Sequence, residues 1–166
     1  MPYFFTESRI MPKQSVASLA STAAVPVGTI VRAKDATLGE GEFIYLKATA
    51  SMVLGSLVTW YTAAAGSVIS LMVPSTASNA VPIAVAQVAG VTATFGWYQI
   101  AGTCPVKKTA VIIGKNVPLV VSTTTGRVRA IVSTGRGILG MRSASSVSAT
   151  VSTVLATFNR PHQMAT

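Results

Sequence analysis

Few side chains in this sequence have the types and spacing for chemistry. Acid–base work on a bond needs paired carboxylates, and only Asp35, Glu40 and Glu42 lie near one another. Glu40 and Glu42 would project the same way from an extended loop around Gly39-Glu40-Gly41. The commoner role for charges in such a place is a solvated hairpin tip. Cys104 and His162 have the types of a nucleophile and its base. Cys104, however, precedes Pro105 in a strand-like context where a lone Cys is usually an inert small hydrophobe, and His162, four residues from the end, reads as an exposed tail residue. One Cys and one His do not make a zinc site. There is no G-x-x-x-x-G-K-[ST] phosphate loop and no G-x-S-x-G elbow. The string Gly135 to Gly140 matches G-x-G-x-x-G, but no βαβ pattern frames it and no acid follows. The expectation is a protein that is not an enzyme, with no catalytic residue, metal or cofactor.

Charge is unevenly placed. All four acids (Glu7, Asp35, Glu40, Glu42) fall in the first 42 residues, where Arg9, Lys13, Arg32 and Lys34 balance them. From Phe43 onward there is no carboxylate side chain, so the net charge of +9 belongs to the rest of the chain. Such asymmetry points to an acidic partner, either a nucleic acid or a negative protein surface. Trp97, Tyr98, Lys107 and Lys108 have the types of an aromatic–basic platform for single-stranded nucleic acid. Neighbours in a strand point to opposite faces, however, so Trp97 and Tyr98 cannot stack on one ligand. One core aromatic and one interface aromatic fit the pattern better. The cations are also dispersed, Lys107-Lys108 being the only adjacent pair, whereas a DNA-binding arm clusters them.

The elements that must position these residues read as β. Short segments rich in Val, Ile, Thr and aromatics recur between Gly, Pro, Asn and Ser. They place strands near Gly28–Ala33, Phe43–Thr49, Leu57–Tyr61, Val68–Val73, Ile83–Val88, Gly96–Ala101, Thr109–Ile113, Leu119–Ser122, Arg127–Val132 and Val147–Phe158. Their number and even spacing predict an antiparallel barrel or sandwich. Phe43 to Ala50 is apolar on both faces, which predicts a strand covered on both sides by a second sheet or another subunit. Residues 1–24 read as an extended arm, with a short helix possible over Gln14 to Ala24, and residues 25–166 as the β domain.

Length and composition set the outer limits. At 166 residues the chain can bury a real core. Half of it is hydrophobic, which excludes disorder, and only 10% is charged against roughly 25% in a typical soluble domain. Mean hydropathy is +0.56, yet no apolar run approaches the ~18 residues of a spanning helix. The start shows no signal-peptide pattern. A low-charge β domain with more apolar and hydroxyl surface than one monomer hides is expected to assemble.

Three segments in order, GEFIYLKATASMVLGSLVTWY (41–61), PIAVAQVAG (82–90) and FGWYQIAGTCPVKK (95–108), give the chain a resemblance to the small head decoration, or cement, proteins of tailed bacteriophages. A looser likeness extends to the strand ending Phe158-Asn159-Arg160-Pro161. The resemblance implies a jelly-roll-like β domain on the outer surface of a phage head, assembled in the host cytoplasm, where it bridges copies of the major capsid protein against the pressure of packaged DNA. It implies a homo-oligomer, a dimer ahead of a trimer, with no membrane and no direct nucleic-acid partner. Candidate interface residues are Tyr3, Phe4 and Phe5 as aromatic anchors of the arm, with Trp97, Tyr98, Lys107, Lys108, Arg127 and Arg129. The alternatives are another virion structural protein of the tail or head-completion machinery, or a basic β-barrel that binds nucleic acid.

Overall fold

Alternating and doubly apolar segments give eleven strands and no helix among the described residues. The computed structural model describes residues 4–5, 14–63, 66–71, 81–130 and 137–163, with backbone alone at 4–5, 61–63 and 66–71. The strands are β1 (Phe4–Phe5), β2 (Ile30–Asp35), β3 (Gly39–Ala48), β4 (Leu57–Ala63), β5 (Gly66–Leu71), β6 (Ile83–Ala86), β7 (Phe95–Lys107), β8 (Pro118–Val121), β9 (Val128–Arg129), β10 (Gly137–Ser143) and β11 (Thr153–Gln163). They form one sheet in the order β1-β2-β3-β5-β4-β6-β7-β11-β10-β8-β9, with β3 also pairing β7. Every pairing is antiparallel except β3 with β5. The pairing of β3 with β7 joins β3, β5, β4, β6 and β7 in a ring of pairings, while the sheet as a whole is not closed into a barrel and ends at β1 and β9, with one partner strand each.

Strand β7 holds the molecule together. Its first half pairs with β3 on one edge and β6 on the other, and its second half pairs with β11. The change of partners occurs around Gly102, whose φ of 107° suits glycine alone. A Cβ there would lie 2.5 Å from the Glu40 carbonyl oxygen and 2.9 Å from Gly41 Cα. The fully buried Gln99 braces the bend, its Nε2 donating to the carbonyls of Ala101 at 3.0 Å and Thr103 at 3.5 Å.

Strand alternation then sorts the side chains into three cores. Ile44, Leu46, Val58, Ala84, Tyr98 and Ile100 pack between β3, β4, β6 and β7. Leu57, Ile83 and Val85, from the opposite face of β4 and β6, meet Cys104, Val106, Phe158 and Met141 of the second limb. Phe43, Tyr45 and Trp97 form the third core with Val16, Val31 and Ala33. Strand β3 is thus covered on both faces within the monomer, as its double apolarity predicts. Each large side chain so buried contributes roughly 1.5–3 kcal/mol.

Several sequence expectations give way. Residues 14–24 form no helix: Gln14 and Val16 are buried against the body, and Ala20 bridges to Phe95. Thr109–Ile113 is not a strand, because its backbone curls around the Lys108 ammonium, with Val111 N donating to Thr109 O at 2.7 Å. Gly137 to Gly140, the described part of the Gly-rich string, belong to β10, a strand not among those expected, with Gly140 at φ 77° where the ladder to β11 shifts register. The last strand begins at Thr153 rather than Val147 and runs to Gln163, so the exposed His162 belongs to it rather than to a loose tail. Met72, Val73, Ile131 and Val132, the ends of two expected strands, lie outside the described residues.

Gly102→Ala is expected to destabilise by more than the ~1–3 kcal/mol of the backbone conformation alone, because its new methyl meets backbone atoms. Gly39, at φ 79° with nothing within 4 Å, supplies the comparison: Gly39→Ala should cost only ~1–2 kcal/mol. Urea midpoints of the two variants read the difference directly.

Candidate functional site

The structure separates the expected interface residues into two groups. Trp97 is fully buried, its ring 4.9 Å from that of Tyr45 and its Nε1 donating to the Gln14 carbonyl at 3.1 Å. Tyr98 is only 2% exposed and faces the opposite core. Burial pushes its phenol well above the ordinary value. Lys108 is fully buried too. These three have no surface to give a partner, since β7 is paired on both edges and covered on both faces at Trp97-Tyr98. Phe4 and Phe5 pair through their backbone with Lys34 and Ala33, so their segment extends the sheet edge; Tyr3 lies outside the described residues.

The other group converges. Lys108 bridges to Val128, Thr109 N donates to Val128 O at 3.1 Å, and Arg127 Nη1 donates to Lys108 O at 3.3 Å. Residues twenty apart in sequence thereby bring exposed Arg127 and half-buried Lys107 and Arg129 to one end of the molecule. Lys108 organises that end from inside. Its Nζ donates to the carbonyls of Val111 at 2.7 Å, Thr109 at 3.1 Å and Ala149 at 3.5 Å. With no acid in this part of the chain, the negative ends of three peptide dipoles hold the charge. Burial still pushes the ammonium below the ordinary lysine value.

The same contacts display apolar side chains that the sequence reading did not single out. Ile112, 76% exposed, follows Val111; Val151, 43% exposed, precedes Ser152, whose carbonyl accepts from Lys108 N. Val53 and Leu54, more than half exposed, precede Gly55, whose carbonyl accepts from Lys107 N at 2.8 Å. All four sit within two residues of a hydrogen bond to Lys107 or Lys108. For Leu54 and Val151 an apolar residue beside Gly or Ser was the available signal, whereas reading Thr109–Ile113 as a strand hid Ile112.

The acidic candidates do different work. Glu42 accepts from Arg32 at 3.0 Å and from Arg160 at 3.2 Å, tying β2 and β11 to β3. Glu40 and Glu42 line one small polar cavity of about 300 Å³ with Gly102 and Asn159, so they do face the same way. Glu42 is an ion-pair hub there rather than a solvated tip. Cys104 is fully buried opposite Ala156 of β11, and exposed His162 lies six residues further along that strand, so the two make no dyad. No group of three or more metal-ligating side chains occurs among the described residues. A larger cavity of about 810 Å³ opens between β8 and β10.

Comparison of the chain with protein-family models, with curated proteins and with solved structures yields no match.

Two outcomes follow from the buried groups. Lys108→Met leaves the carbonyls around Nζ without their donor and should cost ~1–3 kcal/mol, with faster amide exchange at Val111 and Ile113 reporting the loosened loop. Burial, opposed by a hydrogen bond with Gln87, pushes the Cys104 thiol from 9.0 up to about 12. Its stabilising contribution is therefore complete below pH 9 and lost as pH rises toward 12. Lys108 works in the opposite sense, its contribution growing as pH approaches 10.5. Urea midpoints across this range should fall less steeply in Cys104→Ala than in the parent protein.

Proposed function

We propose that this chain is a capsid decoration protein, a cement that binds the outside of a phage head and bridges copies of the major capsid protein. The observation that carries the reading is the loop end around Lys107. Four exposed apolar side chains lie within two residues of a hydrogen bond to Lys107 or Lys108 there, in a chain without a carboxylate from Phe43 onward. Apolar side chains amid charge suit docking onto another protein, the apolar part supplying affinity and the cations orientation and rate against an acidic shell. The backbone of Val111 and Ala149 is pinned by Lys108, so Ile112 and Val151 lose little further freedom on binding.

In this reading the arm at Tyr3, Phe4 and Phe5 supplies a second attachment, and a homodimer, or failing that a homotrimer, multiplies weak contacts into permanent ones. The family resemblance brings the jelly-roll-like description with it. The all-β sheet is compatible with a bridging role whether or not the finer topology follows that plan. The protein would act on the virion surface without touching nucleic acid.

The first experiment is the copy number of this chain in purified particles. A number equal to that of the major shell protein, or a simple fraction of it, is expected. A handful of copies would point to the tail or head-completion machinery, and absence from the particle would overturn the reading. Docking kinetics on bare shells then test the surface: Ile112→Asp and Lys107→Glu should each slow or weaken binding, Lys107→Glu by roughly tenfold at low salt and less at high salt. Steep salt-dependent binding to oligonucleotides, with none to shells, would favour the nucleic-acid alternative.

A further inference from the structure

The cavity of about 810 Å³ is a cleft along β10. The ladder pairs Gly137–Val120 and Arg142–Pro118 hold β8 against β10, so an occupant lies over the sheet rather than within it. Pro118 and Leu139, both exposed, supply accessible apolar surface, and buried Leu119, Ile138 and Met141 close the base. Backbone bulges shape one side: residues 159–161 of β11 face Gly140, with Gly140 at φ 77° and Arg160 at φ 42°. Among the described residues, Lys115 and Arg142 are the charged members of the lining. Arg142 Nη1 donates to Asn116 O at 2.8 Å and Oδ1 at 3.2 Å, so both cations stand at the end of β10 away from Gly137. Asn116, at φ 59°, belongs to a turn that buried Ser143 braces. Asn116 N donates to Ser143 O and Val117 N to Ser143 Oγ, each at 2.8 Å, and Ser143 Oγ donates to Gly114 O at 2.6 Å. With Nη1 spent on Asn116, the Nε–Nη2 edge of the guanidinium has no acceptor among the described residues. An arginine can grip a carboxylate through that edge with two parallel hydrogen bonds.

We propose that this cleft binds an amphipathic small carboxylate, its head on Arg142 and Lys115 and its apolar body laid along Leu139 toward Gly137. The volume falls within the roughly 300–1,000 Å³ of small-molecule sites. Both cations stand at one end and the described lining holds no carboxylate, so they set the sign of the ligand and its direction. A guanidinium already held by its own turn loses little freedom on gripping a head group. The apolar body gains by covering Leu139 and Pro118 and displacing water from them. From Gly137 to Arg142 the strand offers a track of roughly 15 Å, which suits a chain rather than a compact ion. A nucleotide fits poorly, because its base needs an exposed ring to stack on. Phe158, the one aromatic in the described lining, is 3% exposed. The site shares no residue with the loop end around Lys107, and the inference holds whatever that end binds.

The test is titration of the full isotope-labelled chain with octanoate, followed through amide shifts. Expected are shifts at Asn116, Leu139, Gly140 and Arg142. Affinity should be roughly tenfold above that for octanol, which has the chain without the charge, and for acetate, which has the charge without the chain. Octylammonium should leave these amides unmoved. Raising the salt should weaken octanoate binding and leave that of octanol unchanged. Arg142→Gln should weaken octanoate binding by roughly tenfold and spare octanol, whereas Leu139→Ala should weaken both. Should Arg142→Gln not fold, Lys115→Gln, at an exposed turn position, should give a smaller loss in the same direction. No shifts at millimolar octanoate, shifts confined to other strands, or octanoate binding no tighter than octanol, acetate or octylammonium would each overturn the proposal. So would full octanoate affinity in both the cation variant and Leu139→Ala. None of these results depends on whether the chain is found on a capsid.

Discussion

The bend of β7 at Gly102 is the constraint on which the rest depends. One strand of thirteen residues serves two limbs of the sheet, pairing β3 and β6 before the bend and β11 after it. The chain turns there at φ 107°, and the Glu40 carbonyl and Gly41 approach too closely for any side chain. Without the turn, Cys104 and Val106 would continue in the plane of Trp97 and Ile100 and could not face Leu57, Ile83 and Val85. The Gln99 amide spends its hydrogens on the carbonyls flanking the bend, so a polar group in a dry place fixes the geometry.

The second organising fact is electrostatic. From Phe43 onward the chain carries nine Lys and Arg and no acid, so a charge buried within that stretch has no carboxylate of its own to pair with. At Lys108 it uses peptide carbonyls, and the cost shows in the ammonium's depressed pKa. What this achieves is positional: two loops from distant parts of the sequence, carrying Ile112 and Val151, are fixed to one point. Glu42, by contrast, spends its carboxylate on Arg32 and Arg160 at the opposite kind of site, where acid and base are both at hand. The candidate docking end is thus cationic and apolar by exclusion of acids, not by a dense basic cluster. That distinguishes it from a typical nucleic-acid face, where closely spaced cations neutralise successive phosphates.

Much of the fold was legible in the sequence, and the reason is period. Phe43 to Ala48 alternates between two apolar faces, and that pattern alone predicted a strand covered on both sides. The same alternation put Trp97 and Tyr98 on opposite faces, which they occupy, but both face cores, so the expected interface aromatic is buried instead. The all-β class, the approximate positions of most strands and the distribution of charge all rest on local residue order, which one chain displays without folding.

What the tertiary structure decided are the matters that depend on residues far apart. Thr109–Ile113 has strand composition, yet the Lys108 ammonium and the Ala149 loop claim its backbone. Residues 14–24 have helix-compatible composition, yet burying Gln14 and Val16 over Trp97 and Tyr45 is worth more than the hydrogen bonds of one short isolated helix. Strand β10 was concealed by its glycines, one of which adopts a positive φ where the ladder to β11 shifts. Sequence order fixed which residues tend to extend and which side they turn to. Which strands pair, where their ladders shift register, and which side chains remain outside were set by packing and hydrogen bonding between distant segments, whose energies no local pattern contains.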